Sequence, residues 1–175
     1  MSGREGLGRL LDVSVGFVNQ VTNNAADVTG KRVSLKDAAG VTIVVFAGAG
    51  TAGDDLDLVV KQHTASSGGT TANLAKIDHY YVKAATTLAG TETWSEITQT
   101  EAATITDAGG AGTSAETQQI VAIEINADML SDGYSYVSVD STNGGASNDK
   151  TASALYLLRD LNVQRTPSNL AASLS

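Results

Sequence analysis

Cysteine is absent from the 175 residues, which excludes a disulfide scaffold, thiolate zinc and iron–sulfur sites, and any cysteine nucleophile. The redox compartment stays open, because a chain of this length folds from its core alone in either setting. A single proline, Pro167, accompanies 18 glycines, far below the roughly 25–30% combined share that marks a disordered chain. Charge is scarce too: 17% of residues against about 25% in globular domains, with Gly, Ala, Thr and Ser filling the shortfall. What charge there is leans negative, 11 Lys plus Arg against 19 Asp plus Glu for a net −8 and a pI near 4.5. That balance argues against a nucleic-acid binder resting on many phosphate contacts. No apolar run reaches the roughly 18–20 residues of a membrane span. The start MSGREGLGRL has no apolar stretch before Asp12, so the expectation is synthesis and folding in a cytosol, without export or membrane insertion.

What is present is alternation. Apolar residues make up 42% of the chain, enough for a packed core, and they recur with a period of two in short runs between turn clusters. Leu11, Val13, Val15 and Phe17 fall on one face, with Asp12, Ser14 and Gly16 on the other, the pattern of a half-buried strand. Residues 33–35 and 41–47 (VTIVVFA) flank a turn at 36–40. The second run is β-branched enough to read as a central strand covered on both faces. Further strands are predicted over 56–61, 77–84, 93–100, 119–125, 134–139 and 151–158, with the glycine-rich stretch 65–72 as a loop. Helix candidates are confined to 25–28 and 127–131, a single turn each. Eight or nine short strands with such turns predict an all-β chain, an antiparallel β-sandwich, a jelly roll being one of its topologies. The polar ends predict arms: an N-terminal arm over 1–9, one sandwich domain over 10–161 and a C-terminal tail over 162–175.

Charge is unevenly placed. Residues 84–149 hold ten acids and no Lys or Arg, whereas Arg4, Arg9, Lys31, Arg32 and Lys36 put five of the 11 basic residues within the first 36 positions. The pattern fits an acidic outer face with a mildly basic N-terminal part that docks on a partner, and equally a solubilising scatter.

Motifs that would carry chemistry are weak. Gly48, Gly50 and Gly53 form a literal GxGxxG after the strand VTIVVFA. A dinucleotide site needs a helix there, whereas DDLDLVV at 54–60 alternates like a strand, so a glycine-rich hairpin loop is expected. His63 and His79 lack any HxxxH or HExxH spacing and read as partly exposed strand residues. Ser66 and Ser67 sit in a loop without the GxSxG of a nucleophile elbow. Asp54, Asp55 and Asp57, with Asn143, Asn148 and Asp149 from a second loop, supply oxygen ligands for calcium only if the fold joins those loops, and no EF-hand spacing is present. No catalytic residue and no cofactor is assigned. Among the few aromatics, Tyr134 and Tyr136 share a face as a core or interface stripe, and Trp94 is expected to plug the sandwich.

The order of a GAGTAGDDLDL turn (48–58), a Trp94 strand, an IEINADML turn (123–130) and a YSYV strand (134–137) resembles small virion structural proteins of tailed bacteriophages. The resemblance spans residues 33–160, in texture and motif order, and points to the head decoration or cement type. It implies a non-enzymatic β-sandwich on the capsid exterior, partnered by the major capsid protein and by copies of itself as a dimer or trimer, without nucleic acid or membrane. Arg4, Arg9, Leu11, Val13, Val15 and Phe17 are the expected capsid contacts, with the acidic stretch pointing outward. The alternative it leaves open is a tail, neck or receptor-binding virion protein whose sandwich holds calcium or a glycan; a β-sandwich enzyme is a third reading.

Overall fold

The computed structural model describes residues 6–22, 27–110, 114–142 and 150–170. Eleven strands are joined by turns and single 3-10 turns: β1 (Leu11–Val21), β2 (Val33–Ser34), β3 (Ala38–Ala47), β4 (Asp57–His63), β5 (Thr71–Asn73), β6 (Ile77–Ala85), β7 (Ser95–Ala102), β8 (Thr104–Ile105), β9 (Gln118–Asn126), β10 (Tyr136–Thr142) and β11 (Thr151–Leu161). They form two antiparallel sheets packed together, an all-β sandwich. The larger has the order β1-β11-β3-β9-β6-β7 and the smaller β2-β10-β4-β5, with β8 sharing the free edge of β4.

Alternation explains the layering. Val41, Ile43 and Val45 of β3, Val121, Ile123 and Ile125 of β9, and Ala154, Tyr156 and Leu158 of β11 point inward against Leu58 and Val60 of β4 and Val137 and Val139 of β10. Their burial supplies most of the stabilisation, at roughly 25 cal/mol per Å² of apolar surface removed from water. Tyr156 crosses the interior and bolts the layers together. Its hydroxyl donates to the Lys31 carbonyl (2.8 Å) and accepts from the Val139 N–H (3.0 Å).

Several expectations change on this frame. VTIVVFA is covered on one face only: Thr42 and Val44 are half-buried on the outer side, and Phe46 is 43% exposed. Gly48, Gly50 and Gly53 lie in a crossover from the larger sheet to the smaller one, and not in a hairpin, since β3 and β4 are in different sheets. Thr71–Asn73, which overlaps the end of the expected 65–72 loop, forms β5, and Thr104–Ile105 adds β8. Trp94 is no plug. It precedes β7 and is 48% exposed. Of the helix candidates, Ala127–Met129 is a 3-10 turn, Val28 bridges to Ser141 in extended form, and residues 25–26 lie outside the described residues.

Residues 6–10 and the segment after β11 meet at one corner. Residues 6–10 turn back on β1, with Gly8 N–H donating to Leu11 O and Leu11 N–H to Gly6 O, and the C-terminal segment closes over them through Arg165 N–H to Gly8 O (2.7 Å). Gly8 has φ +79, and a Cβ there would sit 2.4 Å from the Arg165 carbonyl oxygen. Only glycine fits both that backbone conformation and that approach.

Candidate functional site

Three groups of polar or exposed residues qualify by composition. The first lies on the outer side of the smaller sheet, where β4 and β10 pair Lys61 with Ser138 and His63 with Tyr136. Lys61 Nζ is 2.6 Å from Asp140 Oδ2, Asp140 Oδ1 accepts the Gly30 N–H, His63 Nε2 is 2.9 Å from Ser138 Oγ, and His63 Nδ1 is 2.9 Å from Thr71 Oγ1. Arg32 roofs the group by donating to the carbonyls of Ala65 and Gly68. His63 is thus fully buried, against the expectation of partial exposure, because hydroxyls on both sides satisfy its ring nitrogens. Burial first, then the nearby Arg32 and Lys61 cations, push its pKa down to about 4, with Asp140 opposing. A neutral imidazole fits by accepting from Thr71 and donating to Ser138. The serine and histidine do not form a nucleophilic pair with access to substrate. Ser138 is buried, and the carboxylate of Asp140 stands on the hydroxyl side while Thr71 holds the far ring nitrogen. The cluster fastens residues 27–32 and 64–71 over the sheet.

The second group surrounds the glycine-rich crossover. Lys150, fully buried, donates from Nζ to the carbonyls of Ser114 (3.2 Å), Ala115 (3.0 Å) and Thr117 (3.1 Å). Burial pushes its pKa down while Asp55, Asp107 and Asp54 pull it back up. Asp54 caps its own turn by accepting from the Thr51 N–H and hydroxyl, both at 2.8 Å. Asp57 accepts the Asp107 N–H at 2.7 Å, and Ser114 Oγ donates to Asp107. The glycines serve packing: a Cβ on Gly50 would stand 2.8 Å from the Asp54 Cβ, and Gly53 has φ +90. Of the calcium candidates, Asp54, Asp55 and Asp57 lie at this corner, with the carboxylates of Asp54 and Asp57 engaged by the protein. Asn143, Asn148 and Asp149 lie outside the described residues. Among the described residues no group of three or more His, Asp or Glu is arranged to hold a metal ion, and no helix is long and apolar enough to cross a membrane.

The third group is apolar and exposed. The turn at 6–10 presents Leu7 (41% exposed) and Leu10 (66%) beside Arg9, and exposed Val163 lies two residues from the Arg165–Gly8 bond. Of the expected contacts, Leu11 is half-buried at the start of β1, and Val13 and Val15 lie on the outer side of the larger sheet, Val13 exposed. Phe17 is a correction: it is 6% exposed and belongs to the core. A register shift between Val15 and Phe17 inserts Gly16 and reverses the alternation, so Phe17 pairs with Ala154 and points inward. Arg4 lies outside the described residues. Leu10 begins the segment expected to face a partner, whereas Leu7 escaped the sequence reading because an isolated leucine in a polar stretch has no periodic signal. Tyr136 is half-buried with Lys36 Nζ 5.6 Å above its ring, and Tyr134 is half-buried. His79 is partly exposed, 2.6 Å from Asp78.

The described residues define a two-sheet antiparallel β-sandwich whose polar clusters are joined by internal hydrogen bonds, with exposed apolar residues on the 6–10 turn and on the outer side of the larger sheet. No protein-family model, curated protein or solved structure matches the chain.

Proposed function

We propose that this protein is a structural component of a tailed-phage head, of the decoration or cement type, which binds the outer surface of the capsid shell and stabilises it by protein–protein contacts. The supporting observation is the corner where residues 6–10 meet the segment after β11. Two large leucines, Leu7 and Leu10, stand exposed on a turn pinned by backbone hydrogen bonds from both sides. An apolar anchor on a rigid turn loses little conformational entropy on docking, which suits a protein that binds many identical sites. Arg9 adds the basic character of the N-terminal part, while the acid-rich stretch runs from the turn before β7 through β9 and into β10, where Asp140 is buried against Lys61.

Sedimentation of purified chain with undecorated heads tests the reading. Leu10→Asp is expected to lower head occupancy at least tenfold while the far-UV circular dichroism stays unchanged, because Leu10 contributes little to the core. Deleting residues 1–5 is a better probe of the segment than a longer truncation, which would remove the Gly6 and Gly8 bonds to β1. Unchanged occupancy for Leu10→Asp, or no binding of the unaltered chain, would overturn it.

A further inference from the structure

The outer side of the larger sheet carries a band of apolar side chains that no described segment covers. Register places them in rows. The central row runs Val15, Leu155, Val44, Ala122, Tyr81 and ends at Glu96 on β7. On one side of it lie Val13, Leu157, Thr42 and Glu124, and on the other Ser153, Phe46, Ile120 and Lys83. Over Ala122 there is a shallow hollow walled by Tyr81, Trp94 and Glu124, with Lys83 Nζ 4.9 Å above the Trp94 ring. The smaller sheet differs: its polar outer face is roofed by Gly30 and Arg32 of the same chain.

We infer that the outer face of the six-stranded sheet is a self-association surface, covered by a second copy of this chain across a two-fold axis running along the central row. Charge complementarity selects a second copy as the occupant. Lys83 and Glu124 sit on neighbouring strands, on opposite sides of the apolar row. A two-fold along that row exchanges the two sides, so each Lys83 meets the partner's Glu124 and the pair forms twice. Glu124 makes no hydrogen bond or ion pair with the described residues and is exposed, so the contact displaces none of those. The apolar rows then face each other as two aligned sheets, the arrangement that packs the inner faces of the sandwich itself. Glu96, which the axis would bring towards its own copy, lies on the edge strand, where sheet twist carries β7 away from the contact centre. Lys83 and Glu124 add selectivity to this apolar face: a partner without the complementary charge leaves Glu124 desolvated and unmatched.

Sedimentation velocity from about 10 μM to about 1 mM reads the outcome. The unaltered chain is expected to dimerise within that range. Val44→Glu, on the central row, is expected to abolish the dimer, and Lys83→Glu or Glu124→Lys alone to weaken it by about tenfold or more through like charges at both contacts. The doubly exchanged chain, Lys83→Glu with Glu124→Lys, is expected to recover it. Circular dichroism on each variant checks that the monomer stays folded. A chain that is monomeric at about 1 mM, a dimer indifferent to Val44→Glu, or a double exchange that fails to restore what each single change removed would overturn the assignment.

Discussion

His63 ties the fold to pH through one side chain. Its folded pKa is lowered from 6.5 to about 4, so between those values the unfolded chain binds a proton that the native chain does not. Stability therefore falls as pH drops through that window, and the loss levels off below about pH 4, where the native ring is protonated as well. The full effect of such a depression is about 3 kcal/mol. Urea denaturation at steps between about pH 7 and pH 4, on the unaltered chain and on His63→Asn, separates this ring from the carboxylates that titrate in both. A steeper loss is expected in the unaltered chain, and equal slopes would rule the histidine out. Tyr156 offers a second test at this scale. Tyr156→Phe keeps the ring in the core but strands the Val139 N–H, which has only the phenol oxygen as its side-chain partner. The expected cost is about 2 kcal/mol, read from the urea midpoint at constant slope.

β1 shows how an element can be half legible. Its first five residues keep the alternation that predicts a strand, and the pairing of Leu11 with Arg159 through Val15 with Leu155 follows it. Then Gly16 enters as an extra residue, Phe17 turns inward, and a second irregularity at Asn19 (φ 47) carries the strand to Val21. Composition marks neither irregularity beyond supplying a Gly and an Asn, residues that also occur in ordinary strands and turns. The bulges and local caps also blunt an edge strand that would otherwise invite pairing: Gln20 Nε2 donates to Val18 O, Asp12 accepts the Val13 N–H, and Lys31 N–H donates to Gly16 O. Asn19→Val forces a β-branched residue into the left-handed region and is expected to cost about 1–2 kcal/mol, whereas Asn19→Gly should be close to neutral. Thermal melts of the two variants check the difference. The same contrast governs the rest of the fold. Long alternating runs such as 119–125 and 151–158 announced β9 and β11, but β5 and β8, two or three residues each, take their form from pairing with β4. The apolar outer face was invisible for a related reason. VTIVVFA announces a strand wanting cover on both sides, but the rows that make a surface of it come from β1, β11, β9 and β6, and only register assembles them.

At the scale of the whole molecule, the two proposed surfaces make a joint expectation. The turn proposed to bind heads sits at the start of β1, while the proposed two-fold runs across the strands. In a pair of copies the two turns therefore stand at opposite ends, available to two different sites on a shell of repeated subunits. Docking one end makes the second contact intramolecular, and such bivalency raises apparent affinity by roughly 10²–10⁴ when the spacing can be spanned. Val44→Glu leaves Leu7 and Leu10 untouched, yet on these two proposals it should lower apparent affinity for heads at least tenfold, with the monomer's own contact intact. Leu10→Asp should do the reverse, weakening head binding while leaving sedimentation of the free chain unchanged. Titrating labelled chain onto undecorated heads, with each variant also followed in free solution, separates the two effects. If Val44→Glu binds heads as tightly as the unaltered chain although its dimer is lost, each copy docks alone, and the sheet face serves free-solution assembly without adding to attachment.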